Sequence, residues 1–111
     1  MAPPPADIHR IHVGEGERAA AELTDAHLAE ALAALDRDGI VLVHNAIEPR
    51  TVERLAAKMR ADHEEVSARR PMVGNESLQP PRDHPYLLAE ICYNPFAIQV
   101  LLALLGEGFY W

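Results

Sequence analysis

The segment from Asn94 to Gly106 constrains the fold of this chain more than any other part of the sequence. Asn94 and Pro95 form a strong helix start, an N-cap followed by a proline at the first helical position, and Gly106 is a typical helix end. The apolar residues between them are Phe96, Ile98, Val100, Leu101, Leu102, Leu104 and Leu105. A helix that is apolar nearly all round must be covered on several sides, so the sequence predicts a core that other elements complete.

A helix and a strand are predicted upstream of this segment. Thr24 is a good N-cap, and Gly39 accepts the left-handed conformation that ends helices. The apolar residues at helical spacing between them are Leu28, Ala31, Leu32 and Leu35. The run Ile40-Val41-Leu42-Val43 follows. Its continuous apolar character predicts a strand that is buried on both faces.

A second helix is predicted to begin at Pro49 and to end near Ala68. Its inner stripe consists of Val52, Leu55, Ala56, Met59 and Val66. Residues 69–82 follow as a loop of about 14 residues, a length typical of functional loops, although an ordinary surface connection is an equal alternative. Asp83 is then expected to cap a short third helix that reaches Ile91.

Residues 1–21 lack helical or strand periodicity and contain three consecutive prolines. They are predicted to be a mostly flexible lead-in, with room for a short extended piece at Ile8, Ile11 and Val13. Residues 22–111 form the remaining domain region. A single confident strand cannot form a sheet, and even two strands are marginal in water. We therefore expect the parts that complete the core to be absent from these 111 residues.

Composition excludes several classes of partner. Ten basic and 17 acidic residues give a formal net charge of −7, which argues against a nucleic-acid surface. The first residues lack the basic and apolar regions of a secretory signal, and the longest apolar stretch is about half of the roughly 20 residues that span a bilayer. Cys92 is the only cysteine, so no internal disulfide or thiolate cluster can form. A cytoplasmic protein without nucleic-acid or membrane partners is expected.

The six histidines do not predict a metal site. His63 and Glu65 form the only His-x-acid pattern, but on a helix positions i and i+2 point to opposite sides and cannot share an ion. His9 and His12 fall in the expected lead-in, where a ligand pair would lose ordering entropy. His44 ends the predicted strand, where it is either buried and hydrogen-bonded or facing a cleft. No metal ligand and no catalytic residue is assigned.

From Leu23 onward, the order of motifs resembles the N-terminal portion of the phytanoyl-CoA dioxygenase family. Leu23-Thr24, the first helix and Asp36-Arg37-Asp38-Gly39-Ile40-Val41-Leu42-Val43 match the family's opening of a helix that leads through Asp-Gly into a first strand. The stretch from Leu78 to Tyr86 and the block from Asn94 to Gly106 are similar to a microbial and fungal branch of the family. The resemblance covers roughly residues 22–111.

The resemblance implies an α+β chain, mostly helical with one or two strands, that forms the N-terminal flank of a double-stranded β-helix (jelly roll). In the family, a His-x-Asp pair and a distant His hold Fe(II), and an Arg binds 2-oxoglutarate. The reaction is hydroxylation of a small-molecule substrate. Those residues belong after position 111, so none is assigned here. Only Tyr110 and Trp111 are candidates to line the pocket, and ordinary barrel packing is the alternative for both.

Three functional interpretations therefore stay open. The chain is an N-terminal dioxygenase segment that is inactive alone, or a helical interaction module that completes its core with a partner or by self-association through exposed apolar surface. The third is a stand-alone enzyme that uses Cys92 or His84. It is disfavoured because neither residue has a visible base or orienting partner.

Overall fold

The computed structural model describes residues 7–70 and 86–109, which form mostly helices with two short parallel strands and confirm the α+β class. The elements are β1 (Arg10–His12), α1 (Glu15–Ala20), α2 (Asp25–Asp38), β2 (Leu42–His44), α3 (Pro49–Arg69), α4 (Ala89–Cys92) and α5 (Pro95–Leu105). They divide into two compact units. The first contains the described residues up to Ala46 and from Tyr93 onward, and the second contains Ile47–Cys92.

The two strands of the first unit pair in parallel, with Arg10 opposite Leu42, Ile11 opposite Val43 and His12 opposite His44. Alternate residues of a strand point to opposite faces of a sheet. Ile11 is buried against the core, and Val43 packs against the same cluster. Arg10 and His12 are exposed. The sheet therefore has one apolar face and one polar face.

The prediction that residues 40–43 form a strand buried on both faces is wrong in two respects. The strand is Leu42–His44, one to two residues later, and all three of its residues are only half-buried. Ile40 is 45% exposed. Pairing with β1 sets the register, and a two-stranded sheet with one polar face cannot bury both sides of a strand.

Residues 7–21 differ from the expected lead-in, because β1 and α1 both lie there. The short extended piece anticipated at Ile11 is present as β1, and Ile11 and Val13 are among the most buried residues of the core. The backbone N–H of Val13 donates to the carbonyl of His44 at 3.0 Å, which extends the pairing beyond β1. This segment is therefore part of the first unit.

Helices α2 and α5 supply the rest of the core, and their predicted ends are confirmed. Thr24 caps α2 through its hydroxyl, and Gly39 ends it with a φ of 74°. Helix α2 packs against β1 and α5, and the small side chains Ala31 and Ala34 on its buried face allow this close approach. The buried cluster consists of Ile11, Val13, Leu23, Ala31, Phe96 and Val100.

The second unit is organised around α3, whose start at Pro49 confirms the prediction. No residue of α3 is buried. On the predicted inner stripe, Val52 and Met59 are exposed, and the others are half-buried. The predicted loop and the Asp83 cap lie mainly or wholly within residues 71–85, outside the described residues.

Candidate functional site

The polar face of the sheet brings together basic side chains that are distant in sequence. The rings of His12 and His44 stack with centroids 4.7 Å apart and planes at 15°. The Nη1 of Arg10 lies 3.1 Å from the Nε2 of His44. A guanidinium can only donate hydrogen bonds, so in this contact the Nε2 of His44 is the acceptor.

Arg18, on α1, lies beside the carboxyl end of β2. Its Nη2 donates to the backbone carbonyl of Asn45, the residue after β2, at 2.7 Å. In the part of the chain that the structure describes, neither Arg10 nor Arg18 forms an ion pair with a carboxylate. We call Arg10, His12, Arg18 and His44 the sheet-face cluster. It is a basic group on a chain whose net charge is −7.

A second polar group centres on the carboxylate of Glu17, which is only 8% exposed. It accepts hydrogen bonds from the backbone N–H of Gly14 at 3.0 Å and of Thr24 at 2.8 Å, and it contacts the Nδ1 of His27 at 2.8 Å. These donors, the Gly14 amide first, lower the pKa of Glu17 from 4.5 to about 2. The carboxylate thereby links Gly14, at the start of α1, to Thr24, at the start of α2. We therefore interpret Glu17 as a structural clamp that holds these two helix starts together.

Replacing Glu17 by glutamine is expected to lower the Tm at pH 7 by roughly 5–10 °C, because the amide presents a donor where backbone donors already point. The pKa of Glu17 is depressed in the folded state, so its stabilisation is present above pH 4.5 and is lost as the pH falls through about 2. The Tm of the unmodified chain should therefore fall over this range more steeply than that of the variant. Thermal melts followed by circular dichroism from pH 7 to 2 measure both effects.

Glu22→Gln is the matched control for this prediction. Glu22 is exposed, and its side chain makes no hydrogen bond or ion pair among the described residues, so the variant removes the same charge without removing the clamp. Identical melting temperatures of the two variants across the pH range would contradict the role assigned to Glu17.

The histidines singled out by the sequence are dispersed. His9 lies 3.4 Å from Glu30, and His27 contacts Glu17. His63 on α3 is exposed, and Glu65 pairs with Arg69 rather than with it. Across residues 7–70 and 86–109, no three His, Cys, Asp or Glu side chains converge in a way that could hold a metal ion. The described residues therefore do not fit an Fe(II) centre.

Several other candidates are placed as follows. His44 ends β2 as predicted, and it is half-buried and hydrogen-bonded. Cys92, at the end of α4, is half-buried. Tyr110 and Trp111, the pocket-lining candidates, and His84 lie outside the described residues.

Sequence reasoning missed the role of Gln99, the only polar residue within α5. Its Oε1 accepts from the backbone N–H of Leu23 at 2.7 Å, and its Nε2 donates to the carbonyl of Leu23 at 3.2 Å. The side chain therefore acts on Leu23 as a neighbouring strand would, satisfying both backbone groups of a buried residue. The sequence signal for this role was the presence of a single polar residue within an otherwise apolar helix.

No family model, curated protein or solved structure matches this chain. Among the described helices, none combines the length and the apolar character needed to cross a membrane. Function must therefore be inferred from the chain's own residues.

Proposed function

We propose that residues 22–111 form the N-terminal flank of an Fe(II)- and 2-oxoglutarate-dependent dioxygenase domain of the type found in the phytanoyl-CoA dioxygenase family. In this proposal the flank packs against a jelly-roll sheet and holds none of the catalytic groups. Iron and 2-oxoglutarate would bind to residues outside the described ranges, because the described side chains do not form a suitable ligand set.

The observation that carries the proposal is the apolar surface left open at the end of α5. Leu102, Leu104 and Leu105 are 42%, 50% and 60% exposed, although they belong to the most apolar helix of the chain. Exposed apolar side chains concentrated at one end of a helix are typical of a contact surface. Packing against a further sheet would remove these side chains from water.

The strand pair of the first unit supports the same proposal. Two short strands are marginal as an independent sheet, and parallel strands usually occur in larger, covered sheets. Within the described residues, β1 and β2 pair only with each other. Each therefore has one edge without a strand partner, where the backbone could pair with a further strand.

The coding sequence that follows codon 111 tests the proposal. We expect a His-x-Asp motif and, further on, a distal histidine and an arginine that can bind the 2-oxoglutarate carboxylate. We expect the 111-residue chain alone to show no saturable Fe(II) binding in anaerobic calorimetric titrations with 2-oxoglutarate present. A following frame without these ligands, or tight Fe(II) binding by the chain alone, would overturn the proposal.

The open face of α5 also supports the second candidate, a helical interaction module that completes its core by self-association. Size-exclusion chromatography with light scattering and thermal melting separates the two. A defined dimer with a sharp melt, converted to monomer by Leu104→Gln combined with Leu105→Gln, would favour the module. A loosely associating chain without a sharp transition would favour the dioxygenase flank.

A further inference from the structure

We propose that the sheet-face cluster of Arg10, His12, Arg18 and His44 is a binding site for a small tetrahedral oxyanion such as inorganic phosphate. This inference does not depend on the proposed dioxygenase function. It rests on the parallel pairing, which gathers three nitrogen-bearing side chains on one face of the sheet, and on Arg18, which lies beside the end of β2.

The register of the sheet places three of these side chains on one face. Arg10 and His12 are two positions apart on β1, so they project to the same side. His44 is the direct partner of His12 across the sheet. Arg18 approaches from α1 and is held beside the end of β2 by its bond to the Asn45 carbonyl.

Most N–H donors of the two guanidinium groups are not used by the described hydrogen bonds. Each guanidinium carries five N–H donors, and the described hydrogen bonds use one of Arg10's and one of Arg18's. The Nδ1 of His44 makes no hydrogen bond among the described residues. Arginine forks match the oxygen spacing of phosphate and bind it with charge-assisted bonds. Because no carboxylate of residues 7–70 or 86–109 pairs with either arginine, an external oxyanion can take that role.

The geometry favours an anion over a metal cation. The imidazole planes are nearly parallel, at 15°, and the ring centroids are 4.7 Å apart, so their in-plane lone pairs do not converge on one ion. The Nε2 of His44 faces the permanent charge of Arg10 at 3.1 Å. That charge repels a cation and attracts an anion.

Titration of the 111-residue chain with inorganic phosphate, followed by NMR of the imidazole resonances at constant ionic strength, tests the proposal. Sulfate serves as a second tetrahedral probe. We expect saturable shifts of the His12 and His44 signals, while those of His27 and His63 stay in place. Shifts that are linear in phosphate, or equal at all four histidines, would overturn the site.

Charge-matched variants make this test specific. Arg10→Gln is expected to weaken phosphate binding by roughly fivefold or more, the effect of losing one exposed charge-assisted contact. Arg37→Gln removes the same charge from a guanidinium already paired with Asp38 at 2.7 Å, and it should leave the affinity unchanged. Equal weakening by both variants would show bulk electrostatics and refute the site. If Arg10→Gln loses the dispersed spectrum of a folded chain, Arg18→Gln supplies the same comparison from outside the sheet.

Discussion

Replacing Gln99 by leucine should destabilise the protein by about 2–4 kcal/mol, although the change makes α5 uniformly apolar. Gln99 satisfies both backbone groups of Leu23, which is 3% exposed and therefore closed to water. Each buried backbone group left without a partner costs about 1–3 kcal/mol, and the gain from burying a leucine offsets only part of this. Urea denaturation followed by circular dichroism gives the free energy of unfolding.

Ala103→Leu is the control for this variant. Ala103 lies on the exposed side of α5, so the substitution adds the same side chain without removing a hydrogen bond. We expect a change within about 0.5 kcal/mol. If Gln99→Leu proved as stable as Ala103→Leu, the pairing between Gln99 and Leu23 would contribute nothing.

Replacing Asn94 by alanine should cost about 2–3 kcal/mol, more than the loss of an ordinary helix cap. Its Oδ1 accepts from the backbone N–H groups of Phe96 and Ala97, both at 3.2 Å. Its Nδ2 donates to the carbonyl of Ala46 at 2.8 Å, which ties the start of α5 to the end of the β2 segment. The variant removes both the cap and this hydrogen bond to Ala46, which acts as a tether.

Two further variants separate these contributions. Asn94→Asp keeps the capping oxygen and loses the donor to Ala46, so it should fall between the unmodified chain and Asn94→Ala. Thr24→Ala removes a cap that accepts one hydrogen bond, from His27, and should cost about 1 kcal/mol. Equal losses in Asn94→Ala and Thr24→Ala, measured by urea denaturation, would show that the tether to Ala46 has no effect on stability.

The helix ends were predictable because their signals are local. Thr24 and Asn94 accept from amides within a few residues, and Pro49 and Gly39 act through their own backbone angles. Contacts between residues distant in sequence were missed because they have no such local signal. Asn94 was predicted as a cap, but its bond to Ala46, 48 residues away in sequence, leaves no mark in the neighbouring residues.

The strand pairing and the sheet-face cluster could not be predicted for a related reason. The prolines and glycines of residues 1–21 obscure any strand periodicity in this segment, and β1 has only three residues. Its structure comes from pairing with β2, which a single sequence does not specify. Once the pairing is known, the opposition of His12 and His44 follows from the register.

The first unit is assembled from two stretches separated by the 46 residues from Ile47 to Cys92. Phe96 and Val100, which complete the buried cluster, are synthesised long after Ile11 and Leu23. On the ribosome, the apolar side of the earlier stretch therefore stays uncovered until α5 emerges. Closing so long a loop slows the docking of α5. Newly made chains are therefore prone to aggregate, and open to chaperone binding, until α5 emerges.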